Sequence, residues 1–277
     1  MMVNDNLGAE SDDRRAARHH QNLTDSAHNK PTVSNRRLRA VGYRRSAWLG
    51  KTRVLSYIRV EVFRDALPNS VAFAHTCFPV ADLRLHPAEA TCVARAVIRR
   101  QREFASGRAC ARLALAQLGF LDTPLGQDQR GRPEWPTGVV GSISHTRGLY
   151  ACAAARTKDF RAIGLDVEPN ERLPTILLRV VAVTPREKHV VLAEWPDVAA
   201  DRLLFTTKEA AFKACSAFTD RNFSPSLYDV ALSRSQHSFI ARLNGWRLFV
   251  DGKPVDAILG AWTISRGVIL SCAVVVS

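Results

Sequence analysis

Apolar Ile163, Leu165 and Val167 alternate with Gly164, Asp166 and Glu168, the two-residue period of a half-buried strand. Both carboxylates therefore leave that strand on one face. Pro169 cannot donate to a sheet ladder, so the strand is expected to end there, with its acids near the carboxyl end. About forty residues later Phe205, Lys208, Glu209, Phe212 and Lys213 follow helical spacing instead, with Glu209 one turn before Lys213.

The same patterns divide the rest of the chain. Val71 to Phe78 reads as a strand, and Pro87 and Glu89 suit the first turn of a helix running to Leu118 and stopped by Gly119. Leu121 to Gly138 is a loop by its Pro, Gly, Asp and Gln content. Val139 to Ser144 is a strand and Gly148 to Ala155 its return, joined at Thr146-Arg147-Gly148. Ser144 and His145, adjacent in an extended segment, point to opposite faces and cannot act as nucleophile and base. Thr184-Pro185-Arg186-Glu187 has the form of a capping box that opens a helix, and Trp195-Pro196 ends it. Strand-like runs follow at Leu227 to Leu232, Phe239 to Leu243, Trp262 to Ser265 and Val268 to Val276, with returns at Asp251-Gly252 and Arg266-Gly267. The fold class is α+β, each half a small, mainly antiparallel sheet with a long helix.

Composition changes this picture at one end. Residues 1 to 52 hold 10 basic and 5 acidic residues and show neither period, so a disordered basic tail is expected there, His19, His20 and His28 included. The remaining two segments, 53 to 157 and 158 to 277, are expected to be the two halves of the folded part. The chain carries 39 Lys plus Arg against 26 Asp plus Glu, so the body stays basic without the tail and favours anionic partners. Six scattered cysteines without a C-x-x-C pair, no secretory h-region and no apolar run of about 18 residues point to a cytoplasmic protein with reduced thiols and no membrane span.

The chemistry concentrates in the two opening stretches. Three oxygen-bearing side chains, Asp166, Glu168 and Glu209, with the ammonium groups of Lys208 and Lys213 nearby, make a seat for Mg²⁺ and a phosphate. Taken singly, an Asp-x-Glu at a strand end is ordinarily solvated and a Glu-Lys pair one turn apart is ordinarily an exposed helix pair. Together, Gly164-Leu165-Asp166-Val167-Glu168 and Phe205-Thr206-Thr207-Lys208-Glu209-Ala210-Ala211-Phe212-Lys213 resemble the paired signature of the 4'-phosphopantetheinyl transferase superfamily. Trp135-Pro136-Thr137-Gly138-Val139-Val140-Gly141-Ser142-Ile143-Ser144-His145 resembles a third motif, especially in the branch of enterobactin synthetase component D.

That resemblance implies two similar halves related by a pseudo-twofold axis, with coenzyme A in the cleft. It implies a cofactor Mg²⁺ held by Asp166, Glu168 and Glu209, and catalytic work by Glu209, Lys213 and Lys208. Arg100-Gln101-Arg102-Glu103-Phe104 with Arg108 is similar to the segment whose arginines hold the phosphates of coenzyme A. Arg100 and Arg108 lie about 80° apart around a helix, and guanidinium forks suit phosphate oxygens. Ser142 and His145 become contacts to the nucleotide. Gln127 stands near the place of a lysine in relatives, with Arg130 or Arg132 as substitutes, and Trp135 is either a core anchor or a wall for the adenine. The implied reaction moves 4'-phosphopantetheine from coenzyme A to a serine of an acidic apo carrier protein in siderophore, nonribosomal peptide or polyketide synthesis. A monomer is expected, with no nucleic acid or membrane partner. The rival readings are another Mg²⁺-dependent phosphoester enzyme and a basic nucleic-acid-binding protein.

Overall fold

The computed structural model describes residues 58–59, 63–77, 85–193 and 195–276. The basic tail expected over residues 1 to 52 lies outside the described residues, as does Phe78 at the end of the first expected strand. The described residues group as one compact unit.

Two short strands, β1 (Ile58–Arg59) and β2 (Ala72–Thr76), precede α1 (Pro87–Ala90), a 3-10 turn at Thr91–Val93, and the long helix α2 (Ile98–Gln117). The single helix expected from Pro87 to Leu118 is thus broken, with Val97 extended at the entry to α2. The reason is an ion pair. Glu89 is fully buried and takes Arg112 Nη1 on both carboxylate oxygens, at 2.7 and 2.6 Å. In one continuous helix those residues would lie about 35 Å apart, so the chain folds back to bring them together. Gly119 ends α2 with φ of +88°, as its type suggests.

β3 (Val139–Thr146) and β4 (Leu149–Arg156) form a hairpin, and the first sheet has the order β1-β2-β4-β3. Small residues let α2 lie close on this sheet. Cys110, Ala111 and Ala114 of the helix share a core with Ala72, Ala74, Cys152 and Ala154.

β5 (Phe160–Pro169) crosses to the second half, followed by α3 (Thr175–Val181), α4 (Pro185–Leu192) and α5 (Ala200–Cys215). Then come β6 (Tyr228–Ser233), β7 (Ser238–Leu243), β8 (Leu248–Val250), β9 (Lys253–Val255), β10 (Ala257–Ser265) and β11 (Val268–Val276). The second sheet is antiparallel, ordered β5-β11-β10-β7-β6, while β8 and β9 form a separate ribbon. Both Asp-Gly and Arg-Gly turns carry positive φ at their two central residues, 51° and 75° at Asp251 and Gly252, 52° and 72° at Arg266 and Gly267. That is the backbone a two-residue hairpin requires.

The alternation in β5 divides its faces as the sequence pattern demands. Ile163, Leu165 and Val167 pack with Leu270 and Cys272 against Phe73, Ala151 and Ala153 of the first sheet, a core shared between the two sheets. Ala162, on the other face, joins the core built around α5. Gly164 allows that helix to approach, since a Cβ there would stand 1.8 Å from the Ala210 carbonyl oxygen. The halves are unequal, four strands against five with an added ribbon.

Candidate functional site

Asp166 and Lys213 meet where the carboxyl-terminal part of β5 faces α5, with Glu168 and Glu209 near enough to feel their charges. Asp166 is 5% exposed, and its Oδ1 accepts Lys213 Nζ at 2.7 Å and the Ser144 hydroxyl at 2.9 Å. Lys213 Nζ also donates to Ser144 Oγ at 3.1 Å and to the Leu165 carbonyl at 3.2 Å. Three elements thereby meet at one polar junction: β3 brings Ser144, β5 brings Asp166 and α5 brings Lys213. Asp166 Oδ2 is buried and has no hydrogen-bond partner.

The acids feel one another. Burial first, then the Asp166 charge, push the Glu209 carboxyl up to about 7, with Lys213 opposing and Glu168 adding to the rise. Glu168 is also raised, by burial and then Asp166, against the pull of Arg202. Like charges held together in a partly dry place favour protonation unless a cation joins them. An unpartnered buried carboxylate oxygen beside two such neighbours fits a small hard cation, for which carboxylates are the natural ligands.

Among the described residues, no three His, Cys, Asp or Glu side chains stand together as a ready metal site. Protein cations hold the acids instead: Arg202 Nη1 lies 3.0 Å from Glu168 Oε2, and Lys213 occupies Asp166 Oδ1. Arg202 escaped the sequence reading. Its signal was present, seven residues and two helical turns before Glu209 on the same helix.

Lys208 requires a correction. It is fully buried on a different face of α5, and its three hydrogens go to Glu187 Oε1 at 2.7 Å, the Val181 carbonyl at 2.8 Å and the Pro225 carbonyl at 3.0 Å. Helical geometry sets this, because Lys208 and Glu209 are about 100° apart around the axis. With every donor spent inside the protein, Lys208 has none for a substrate.

The expected coenzyme A contacts separate in the same way. Arg100 stays exposed, 3.7 Å from Glu103, whereas Arg108 is 3% exposed and donates to the Leu125 and Gly126 carbonyls at 3.0 and 3.1 Å. Arg108 thus anchors the loop that follows α2 rather than facing solvent beside Arg100. Arg130 pairs with Asp220 at 3.0 Å, and Arg132 pairs with Asp128 at 2.6 Å and donates to the Ser216 carbonyl just past α5. As substitutes for a phosphate-binding lysine they are already engaged, pinning the loop to the second half. Trp135 packs on Gly141, where a Cβ would come within 2.7 Å of its ring, and belongs with the core of the first sheet.

Ser142 and His145 do not converge. Three residues apart on a strand, they take opposite faces, Ser142 buried and His145 39% exposed. His145 stacks on Tyr150 with centroids 5.9 Å apart and faces Glu103 at 3.5 Å. Burial lowers its pKa, with Glu103 opposing. A cavity of about 780 Å³ lies elsewhere, lined by Arg234, His237 and Trp262, and none of the candidate residues borders it.

Comparison with known proteins adds an independent observation. The profile of the 4'-phosphopantetheinyl transferase N-terminal domain matches residues 88–155. The chain is 39% identical over 193 residues to 4'-phosphopantetheinyl transferase Svp of Streptomyces mobaraensis, covering 69% of this chain and 78% of Svp. It is 36% identical to 4'-phosphopantetheinyl transferase Npt of Nocardia iowensis, over 74% of this chain and 96% of that protein. Enterobactin synthase component D of Escherichia coli (strain K12) is 33% identical over 53% of this chain and 68% of its own length. With the paired acid and Lys-Glu motifs meeting on β5 and α5, and with relatives matched over most of their length, the chain belongs to the 4'-phosphopantetheinyl transferase family.

Proposed function

We propose that the protein transfers 4'-phosphopantetheine from coenzyme A to a serine hydroxyl of an apo carrier protein, with the chemistry at the junction of β5 and α5. The observation that carries this reading is Asp166, buried with one oxygen unpartnered, between Lys213 and the electrostatically coupled Glu168 and Glu209. Asp166, Glu168 and Glu209 are the residues that would hold Mg²⁺, which would supply charge neutralisation for a diphosphate.

In the reaction the carrier serine oxygen attacks the phosphorus next to the pantetheine arm. A new P–O bond forms, the diphosphate bridge breaks, and adenosine 3',5'-bisphosphate leaves. Lys213, its three hydrogens held by Asp166, Ser144 and the Leu165 carbonyl, contributes a fixed positive charge beside the place where negative charge grows on the transferring and leaving oxygens. Glu209 is also the candidate to accept the serine proton, directly or through a water, a role that competes with holding the metal. Arg100, exposed on α2 and only loosely paired with Glu103 at 3.7 Å, would meet phosphate oxygens. The nucleophile comes from the partner, so no internal serine needs a base.

Carrier recognition has a basic surface to draw on, 39 Lys plus Arg against 26 Asp plus Glu overall. The relatives named for enterobactin synthesis support service to a siderophore or other nonribosomal peptide or polyketide pathway. Among the described residues no helix is long and apolar enough to cross a membrane. The deciding experiment is intact-mass analysis of several apo carrier proteins incubated with the protein, coenzyme A and Mg²⁺. One phosphopantetheine is added per carrier, and Asp166→Ala nearly abolishes the addition. Unchanged mass across a broad panel of carriers refutes the activity, and an active Asp166→Ala protein refutes the site.

A further inference from the structure

Ser144 is a polar side chain from the first sheet that reaches the acidic site of the second. We propose that it is a positioning residue for Asp166, fixing the carboxylate so that Oδ2 alone is presented to a divalent cation. The inference rests on the transferase reading and its metal site, and it adds to them a residue outside the acid set.

Ser144 lies on β3, 5% exposed, with its side chain opposite to that of His145. Its hydroxyl proton goes to Asp166 Oδ1 at 2.9 Å, and its lone pair receives Lys213 Nζ at 3.1 Å. Lys213 donates to the same Asp166 oxygen at 2.7 Å and to the Leu165 carbonyl at 3.2 Å. Oδ1 therefore carries two donors and Oδ2 carries none. The last torsion of an aspartate is broad and nearly two-fold, so nothing in the side chain itself distinguishes its two oxygens. Lys213 alone does not distinguish them either, because a flexible ammonium follows whichever oxygen turns toward it.

The serine breaks this degeneracy because it is anchored on a different sheet. Its hydroxyl reaches one oxygen only, and its lone pair keeps Lys213 on that side. Without the hydroxyl, Asp166 is free to turn and Lys213 to bridge both oxygens, putting a protein cation where the metal binds. Hydrogen-bonding partners of metal-binding carboxylates typically alter affinity by about tenfold or more when removed.

The test is Mn²⁺ binding followed by electron paramagnetic resonance, in the absence of coenzyme A so that contacts to the nucleotide play no part. Wild type, Asp166→Asn, Ser144→Ala and Ser144→Thr are compared, with thermal unfolding of each. Ser144→Ala is expected to bind Mn²⁺ about tenfold more weakly with its unfolding temperature nearly unchanged, while Ser144→Thr, which keeps the hydroxyl, stays within about twofold of wild type. If Ser144→Ala binds as wild type does while Asp166→Asn does not, the positioning role is wrong and the metal site stands. Equal losses in Ser144→Ala and Ser144→Thr also overturn it, since the hydroxyl would then be irrelevant. If wild type and Asp166→Asn bind alike, the metal site fails and the role of Ser144 fails with it.

Discussion

Replacing Lys208 with methionine separates a structural lysine from a catalytic one. Its ammonium is fully buried and spends its hydrogens on Glu187, Val181 and Pro225 at 2.7 to 3.0 Å. Methionine fills most of the volume but leaves two carbonyls and one carboxylate without that donor. Glu187 keeps the backbone N–H groups of Val183, Thr184 and Val230, so its charge is not abandoned. Breaking a buried pair by removing one partner costs about 3 to 5 kcal/mol. For a chain of this size that is a fall in unfolding temperature of about 10 °C. Calorimetry or circular dichroism measures the fall. Carrier labelling at a temperature where the variant is folded measures kcat, which should remain within about twofold of wild type. A variant with unchanged unfolding temperature and a kcat lowered a hundredfold would refute the reasoning and return Lys208 to the chemistry.

Other perturbations separate neighbouring roles. With Glu209 raised from 4.5 to about 7 in the metal-free protein, the folded state binds the extra proton more tightly than the unfolded one. This contribution favours folding below about 4.5 and is lost as pH rises through about 7. A divalent cation must displace that proton, so its affinity should weaken by up to about tenfold per pH unit below 7; calorimetry showing equal affinity at pH 6 and 8 would contradict this. Arg100→Ala should raise the KM for coenzyme A several-fold with unchanged unfolding temperature. Arg108→Met should instead lower the unfolding temperature and open the loop after α2 to proteolysis; the reverse pattern would exchange their roles. Gly164→Ala forces a Cβ onto the Ala210 carbonyl and should cost at least about 3 kcal/mol in thermal unfolding, a mild effect disproving the tight seat of α5.

The periodic segments were legible because one-dimensional spacing determines which face a side chain takes. β5 and α5 follow their two-residue and 3.6-residue patterns, and that brings Asp166 beside Lys213. The turns were legible for the same local reason, since Asp251-Gly252 and Arg266-Gly267 have the residues their backbone needs. What spacing alone leaves open is the partner of each charged group. Glu89 suits a helix start in sequence, but its pairing with Arg112 breaks the expected long helix. Lys208 and Arg108 sit in motif positions that suggest phosphates, yet burial turns both inward to backbone carbonyls. Arg202 and Ser144 reach the site only through the packing of α5 and β3 against β5, contacts between segments far apart in sequence.

The apolar layer between the two sheets limits how the chain can be divided. Leu165, Val167 and Leu270 of one half have their packing partners, Phe73, Ala151 and Ala153, in the other. Expressed apart, each fragment would present that layer to water and tend to aggregate. A single cut at exposed Lys158, between β4 and β5, leaves the layer intact, so the severed pieces should remain associated and a split pair could report their own reunion.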